Sequence, residues 1–188
     1  MHLAYKGTGY HGWQRQLGSI TVQEVLEDKL ELLFGGKTAV LGCGRTDTGV
    51  HASSFFLHFD ASDELPQKLV FRLNQMLPKD IAVFEVFPVH DDFNARFDAK
   101  SRTYIYKTTL IKNAFEEDLS LFLYRQPDVE LMNKACGELL KHNDFASFCK
   151  SGGNNKTTFC HLMKAEWSLQ GEFLQFEVKA DRFLRNMV

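Results

Sequence analysis

Between two apolar, strand-like stretches lies Gly42-Cys43-Gly44-Arg45-Thr46-Asp47-Thr48-Gly49-Val50-His51-Ala52, in which glycines bracket an Arg and an Asp. That composition suits a tightly shaped loop presenting polar side chains. A lone ionised carboxylate can attack a sugar anomeric carbon. Sugar chemistry with retention passes through such a covalent step, normally with a second carboxyl group as acid, and no second acid stands close to Asp47 in sequence. Arg45 could keep Asp47 ionised by opposite charge, or face outward toward phosphate or base edges. Local residues alone favour a plainer reading, a turn in which Asp47 bonds its own backbone. A phosphate-cradling loop is excluded, because no Gly-Lys-Ser/Thr follows.

Two further stretches carry chemistry-bearing side chains. Tyr10-His11-Gly12-Trp13-Gln14-Arg15-Gln16 joins aromatic surface to amide and guanidinium donors, a composition that fits RNA contact. It fits equally well a Trp13 that plugs the edge of the core beneath a solvated loop. Phe93 to Tyr106 interleaves Arg96, Lys100 and Arg102 with Phe97, Tyr104 and Tyr106. Tyr104 could be a core tyrosine with a satisfied hydroxyl, stack on a base, or move a proton.

The elements that position these residues follow from pattern. Thr21-Val22-Gln23-Glu24 has the form of a capping box, and Val22, Val25, Leu26, Leu30 and Leu33 recur at helical spacing up to Gly35-Gly36. Leu3 to Lys6 and Thr38 to Cys43 read as strands. Ser53 to Asp60 alternates, with Phe55, Leu57 and Phe59 on one face. A helix is expected from Pro66 to about Gln75, ended by Leu77-Pro78. Ile81 to Phe87, apolar on both faces, reads as a covered central strand. Ser101 to Leu110 is a strand with Tyr104 and Tyr106 on one face, and Asn113 to Gln126 an irregular connection. Asp128 caps a helix with Met132, Ala135, Cys136, Leu139 and Leu140 as its stripe. Trp167 to Leu169 and Phe173 to Ala180 pair around Gln170-Gly171-Glu172. Asp181 is expected to cap a final helix whose stripe, Phe183, Leu184, Met187 and Val188, has no stop signal; a longer natural protein is the expectation. Strands and helices alternate on either side of about residue 92. This predicts two α/β halves, 1–92 with the Asp47 loop and 93–188 cut short at its end, packed side by side into one sheet.

The 188 residues are 44% apolar and 24% charged, with a formal net charge of −2. This excludes a disordered scaffold, and no apolar run is long enough to cross a bilayer. Cys43, Cys136, Cys149 and Cys160 stand far apart without a C-x-x-C pair. They read as reduced thiols of a cytoplasmic protein rather than a zinc site.

Taken together, Gly12-Trp13-Gln14, Val22-Gln23-Glu24, Gly44-Arg45-Thr46-Asp47-Thr48-Gly49-Val50-His51-Ala52, Leu77-Pro78-Lys79-Asp80-Ile81, Phe93-Asn94-Ala95-Arg96-Phe97, Arg102-Thr103-Tyr104-Ile105-Tyr106, Asn143-Asp144-Phe145-Ala146-Ser147-Phe148 and Phe183-Leu184-Arg185-Asn186-Met187-Val188 resemble the TruA-type tRNA pseudouridine synthases, in the family's order. The resemblance implies an α+β pseudouridine synthase fold: two related halves forming a mixed, largely antiparallel sheet flanked by helices around a basic cleft. It implies isomerisation of uridine to pseudouridine at positions 38, 39 and 40 of the tRNA anticodon stem-loop, without cofactor or required metal, with Asp47 as nucleophile. It places Tyr104 against the target base and lets Arg45 help to push the uridine out. Arg15, Trp13 and His51 join them as expected substrate contacts. It further implies a homodimer with tRNA across both subunits. Asp47 would attack C1′ or C6; the family pattern leaves both open. The family continues beyond Val188 with an arginine expected to pair with the aspartate, and Ser151 to Lys156 is read as a loop of variable length. Two rivals stand beside this: a non-catalytic α/β RNA-binding module, and a sugar hydrolase with Asp98 or Asp144 as distant acid.

Overall fold

The computed structural model describes all 188 residues except 62–64, 151 and 153–155, so most of the 151–156 loop lies outside the described residues. Two compact units appear, Met1–Ala99 and Lys100–Val188. The first extends to Ala99 because the chain past residue 92 is tied back to it. The backbone N–H of Ala95 donates to His58 Nδ1 at 3.1 Å, and Phe93 packs edge-on to the His58 ring at 5.9 Å. The α+β class holds, but the described strands form two four-stranded sheets, one in each unit, instead of the single sheet expected.

In the first unit β1 (His2–Tyr5), β2 (Leu41–Gly42), β3 (Ala52–His58) and β4 (Ile81–Glu85) pair antiparallel in the order β2-β3-β1-β4. Helix α1 (Val22–Phe34) begins where Thr21 accepts a hydrogen bond from the Glu24 N–H at 3.3 Å, and ends at Gly35 in the left-handed conformation, φ 72°. Its buried Val22, Leu26 and Leu30 join Leu3, Phe55, Leu57, Ile81 and Val83 in one core. Helix α2 (Leu69–Met76) adds Leu69 and Leu73.

Three elements differ from expectation here. β2 is short because the chain before it bonds to a helix instead of a strand: the Val40 N–H donates to Glu27 Oε1 at 3.2 Å, and Gln23 Nε2 donates to the Val40 carbonyl at 3.1 Å. α2 starts later than Pro66, after Lys68 in the left-handed region at φ 57°. β4 is at an edge of its sheet rather than central and covered; Ile81 and Val83 face the core while Ala82 and Phe84 are exposed.

In the second unit β5 (Arg102–Thr109), β6 (Leu121–Phe122), β7 (Leu162–Gln170) and β8 (Phe173–Ala180) run in the order β6-β5-β8-β7, antiparallel except for β5 with β6. The connection expected to be irregular thus supplies β6. Helix α3 (Val129–Leu139) is capped by Asp128, which accepts from the Leu131 N–H at 2.9 Å. Cys136 from α3 meets Leu162, Ala165, Val178 and Ala180 in the core. No helix forms after Asp181. Its carboxylate accepts from the N–H groups of His161 and Arg182 at 2.8 and 2.7 Å, not from a first helical turn, and Asn186 turns left-handed at φ 59°. Leu184 still reaches the core, with Phe183 and Met187 against it.

Truncation in the first core should be costly. Leu26→Ala is expected to destabilise by about 2–5 kcal/mol. Leu32→Ala on the exposed side of α1, where Leu32 is 68% exposed, should stay within about 0.5 kcal/mol. Urea unfolding midpoints of the two variants make the comparison.

Candidate active site

The loop from Gly42 to His51 is fastened to two other stretches of the first unit. The Trp13 N–H donates to the Thr46 carbonyl at 3.1 Å, and the Gly49 N–H to the Tyr10 carbonyl at 3.2 Å. The Gly7 N–H donates to His51 Nδ1 at 2.9 Å. The hydroxyls of Tyr5 and Thr46 share a hydrogen bond of 2.9 Å. Inside the loop the Val50 N–H donates to the Asp47 carbonyl at 3.2 Å. The turn is therefore closed by main chain. The Asp47 side chain is exposed, and among the described residues its carboxylate enters no hydrogen bond or ion pair. This replaces the plainer expectation that Asp47 caps its own backbone.

Close packing makes the fastening stiff. Gly12 has φ 83°, and a Cβ there would sit 2.4 Å from the Thr46 carbonyl oxygen and 3.2 Å from the Asp47 carbonyl carbon. Two backbones thus touch with no room for a side chain between them. Behind Gly12, Tyr10 donates its phenol proton to Asp80 Oδ1 at 2.7 Å. Burial first, then that hydrogen bond and the Asp80 charge, push the Tyr10 phenol far above its ordinary range, so it stays a donor.

The expected substrate contacts divide. Arg45 is exposed and makes no ion pair with Asp47 among the described residues. His51 is half-buried; accepting at Nδ1 puts the proton of its neutral ring on Nε2. Trp13 is corrected to a core residue. It is 3% exposed, with its ring centroid 4.3 Å from that of Phe55 and 6.1 Å from that of Tyr5, so its faces are spent on packing and not open to a base. Arg15 is half-exposed and ion-paired with α1. Its guanidinium lies 3.1 Å from Glu27 and 3.6 Å from both Glu24 and Asp28. These three carboxylates partly offset its charge in the absence of a ligand.

Tyr104 belongs to the second unit. It is half-buried on β5 opposite Val178, with its ring edge-on to Phe183 at 5.2 Å. The distant acids of the hydrolase reading are both occupied in turns. Asp98 accepts from the Asn94 N–H at 2.7 Å, and Asp144 from the Ala146 N–H at 3.1 Å and the Thr158 hydroxyl. Among the described residues no cluster of three His, Cys, Asp or Glu could hold a metal.

Sequence reasoning missed Tyr5, Gly7 and Asp80 as supports of the loop. Only their position beside Gly-rich turns hinted at it.

With this geometry, the comparisons with known proteins are specific. The model of the tRNA pseudouridine synthase family matches residues 1–98 and 135–188. The chain belongs to that family. Over its whole length it is 44% identical to a protein of Parabacteroides distasonis named tRNA pseudouridine synthase A, covering 75% of that protein. Proteins of the same name from Bacteroides thetaiotaomicron and Francisella tularensis subsp. holarctica are 45% and 40% identical, again over the whole chain and over 71% and 74% of their own lengths.

Gly12→Ala should disturb the Asp47 loop. The combination of positive φ and backbone overlap is expected to cost about 2–3 kcal/mol, with amide shifts at Thr46 to Gly49 in NMR spectra. Gly18 has φ 76° but nothing within 4 Å of its would-be Cβ. Gly18→Ala should cost about 1 kcal/mol and leave those amides in place.

Proposed function

We propose that the chain is an isomerase that converts uridine to pseudouridine in the anticodon stem-loop of tRNA, at positions 38, 39 and 40, with Asp47 as nucleophile. One observation carries this reading: the Asp47 carboxylate is solvent-facing and unpaired among the described residues, on a loop fastened from both sides. A target C1′ inside a stacked stem is out of reach, so the nucleotide must first be flipped out at a cost of a few kcal/mol. Exposed Arg45 is suited to assist that step. Asp47 then bonds to C1′, releasing the uracil as an anion, or adds to C6. In either case the glycosidic C–N bond breaks, the ring turns and C5 bonds to C1′. The bond to Asp47 breaks as C5 takes its place at C1′, or at C6 as C5 loses its proton, and the carboxylate is returned. One proton leaves C5 and one is gained at N1, so no oxidant or reductant is needed. Tyr104 is assigned to the target base, as a stacking ring and a candidate acceptor of the C5 proton.

A homodimer with tRNA across both subunits, acting in the cytoplasm, completes the proposal. Four free cysteines among the described residues suit a reducing compartment. None of the described helices is long and apolar enough to cross a membrane.

tRNA carrying tritium at uridine C5 tests the chemistry. Release of label to water should fall at least about 10³-fold in Asp47→Ala, while tRNA binding persists. Equal release from both proteins ends the nucleophile assignment, and no release from either favours an RNA-binding module. Tyr104→Phe separates the ring from its hydroxyl: turnover within about tenfold of wild type excludes the phenol as an essential base.

A further inference from the structure

We infer that the hydrogen bond between Tyr5 and Thr46 is a positioning device that aims the Asp47 carboxylate out of the loop; this rests on the nucleophile reading above. Thr46 immediately precedes Asp47 and is held at two points. Its carbonyl accepts from the Trp13 N–H at 3.1 Å, and its hydroxyl meets the Tyr5 hydroxyl at 2.9 Å. Thr46 is thus drawn inward by both its side chain and its carbonyl, while the side chain of the adjoining Asp47 is exposed.

The anchor at the other end is rigid. Tyr5 is 4% exposed at the end of β1, with Ala52 opposite it on β3 and Ile81 opposite it on β4. The pairing of β1 with β3 slips between Leu3 and Tyr5, a bulge of the kind that re-aims a side chain next to a site. The Tyr5 ring then packs against Trp13 and Phe55, at centroid distances of 6.1 and 5.6 Å. Its hydroxyl is thus a polar group set at a fixed point in an apolar wall. Losing the contact would let Thr46 rotate, and a displacement of about 1 Å at a reacting group can cost as much as 10²-fold in rate. The ring of Trp13, buried instead of stacked on RNA, has a use in this arrangement, since it supports the tyrosine whose hydroxyl holds the loop.

The test compares Tyr5→Phe, Thr46→Val and the double variant with Asp47→Asn, measuring kcat, KM for tRNA and thermal midpoint. Tyr5→Phe and Thr46→Val should each lower kcat by about tenfold or more, with KM for tRNA within about twofold. The double variant should be no worse than the poorer single one, because both remove one interaction. Thr46→Ser, which keeps a hydroxyl, should restore the kcat lost in Thr46→Val. If Tyr5→Phe keeps wild-type kcat while Asp47→Asn is inactive, the positioning inference fails and the nucleophile reading stands. If Asp47→Asn turns over normally, the nucleophile reading itself fails. Additive losses, or kcat and KM worsening together with a drop in thermal midpoint, would mark a merely structural pair and also overturn the inference.

Discussion

Everything at the candidate site depends on two stretches of main chain touching. Gly12 lies so close to the Thr46 and Asp47 peptide groups that not even a methyl group fits between them. A contact of that kind cannot be adjusted by rotamer changes, as side-chain packing can. It fixes the Asp47 loop against the segment entering α1, whose own start is set by the Thr21 cap. The hydrogen bonds from Trp13 to Thr46 and from Gly49 to Tyr10 then use donors that this contact has already brought into range. A rigid backbone beneath the exposed Asp47 side chain suits the proposed nucleophile, whose direction would be set before substrate arrives.

Charge is distributed to the same end. Arg15 is absorbed by three carboxylates of α1, whereas Arg45 and Asp47 are both left facing solvent without an ion pair between them. The buried aromatic residues Tyr5, Trp13 and Phe55 form the wall behind the loop.

Much of the fold was legible in the sequence. The capped α1, the alternation of β3 and the β7–β8 hairpin announce themselves through local patterns that tertiary packing reinforces. The failures have physical causes. Residues 38–40 look like strand, but helix side chains Gln23 and Glu27 supply their partners, which no period-two rule detects. β4 is apolar on both faces yet lies at a sheet edge, because apolar composition does not reveal strand order. Asp181 looks like a helix cap but bonds across to His161 on a distant stretch. At the candidate site, the unusual density of Gly, Arg and Asp singled out the loop that packs against Gly12. The roles of Trp13 and Arg15 could not be read the same way, since a Trp or Arg in a Gly-rich segment serves core, helix or ligand with equal ease. Only coordinates reveal that α1 turns three acidic side chains toward Arg15.

The most direct measurement is to identify the residue that bonds to the substrate. tRNA in which the C5 hydrogen of the target uridine is replaced by fluorine cannot lose a proton at that carbon, so a covalent adduct should accumulate where the carboxylate adds to C6. Where it attacks C1′, rapid acid quenching must catch the adduct before C5 displaces it. Acid quenching, digestion and mass spectrometry would locate it. A nucleotide-derived adduct on Asp47, in the peptide spanning Gly42 to Ala52, is the expected result. An adduct mapped to any other residue would contradict the account.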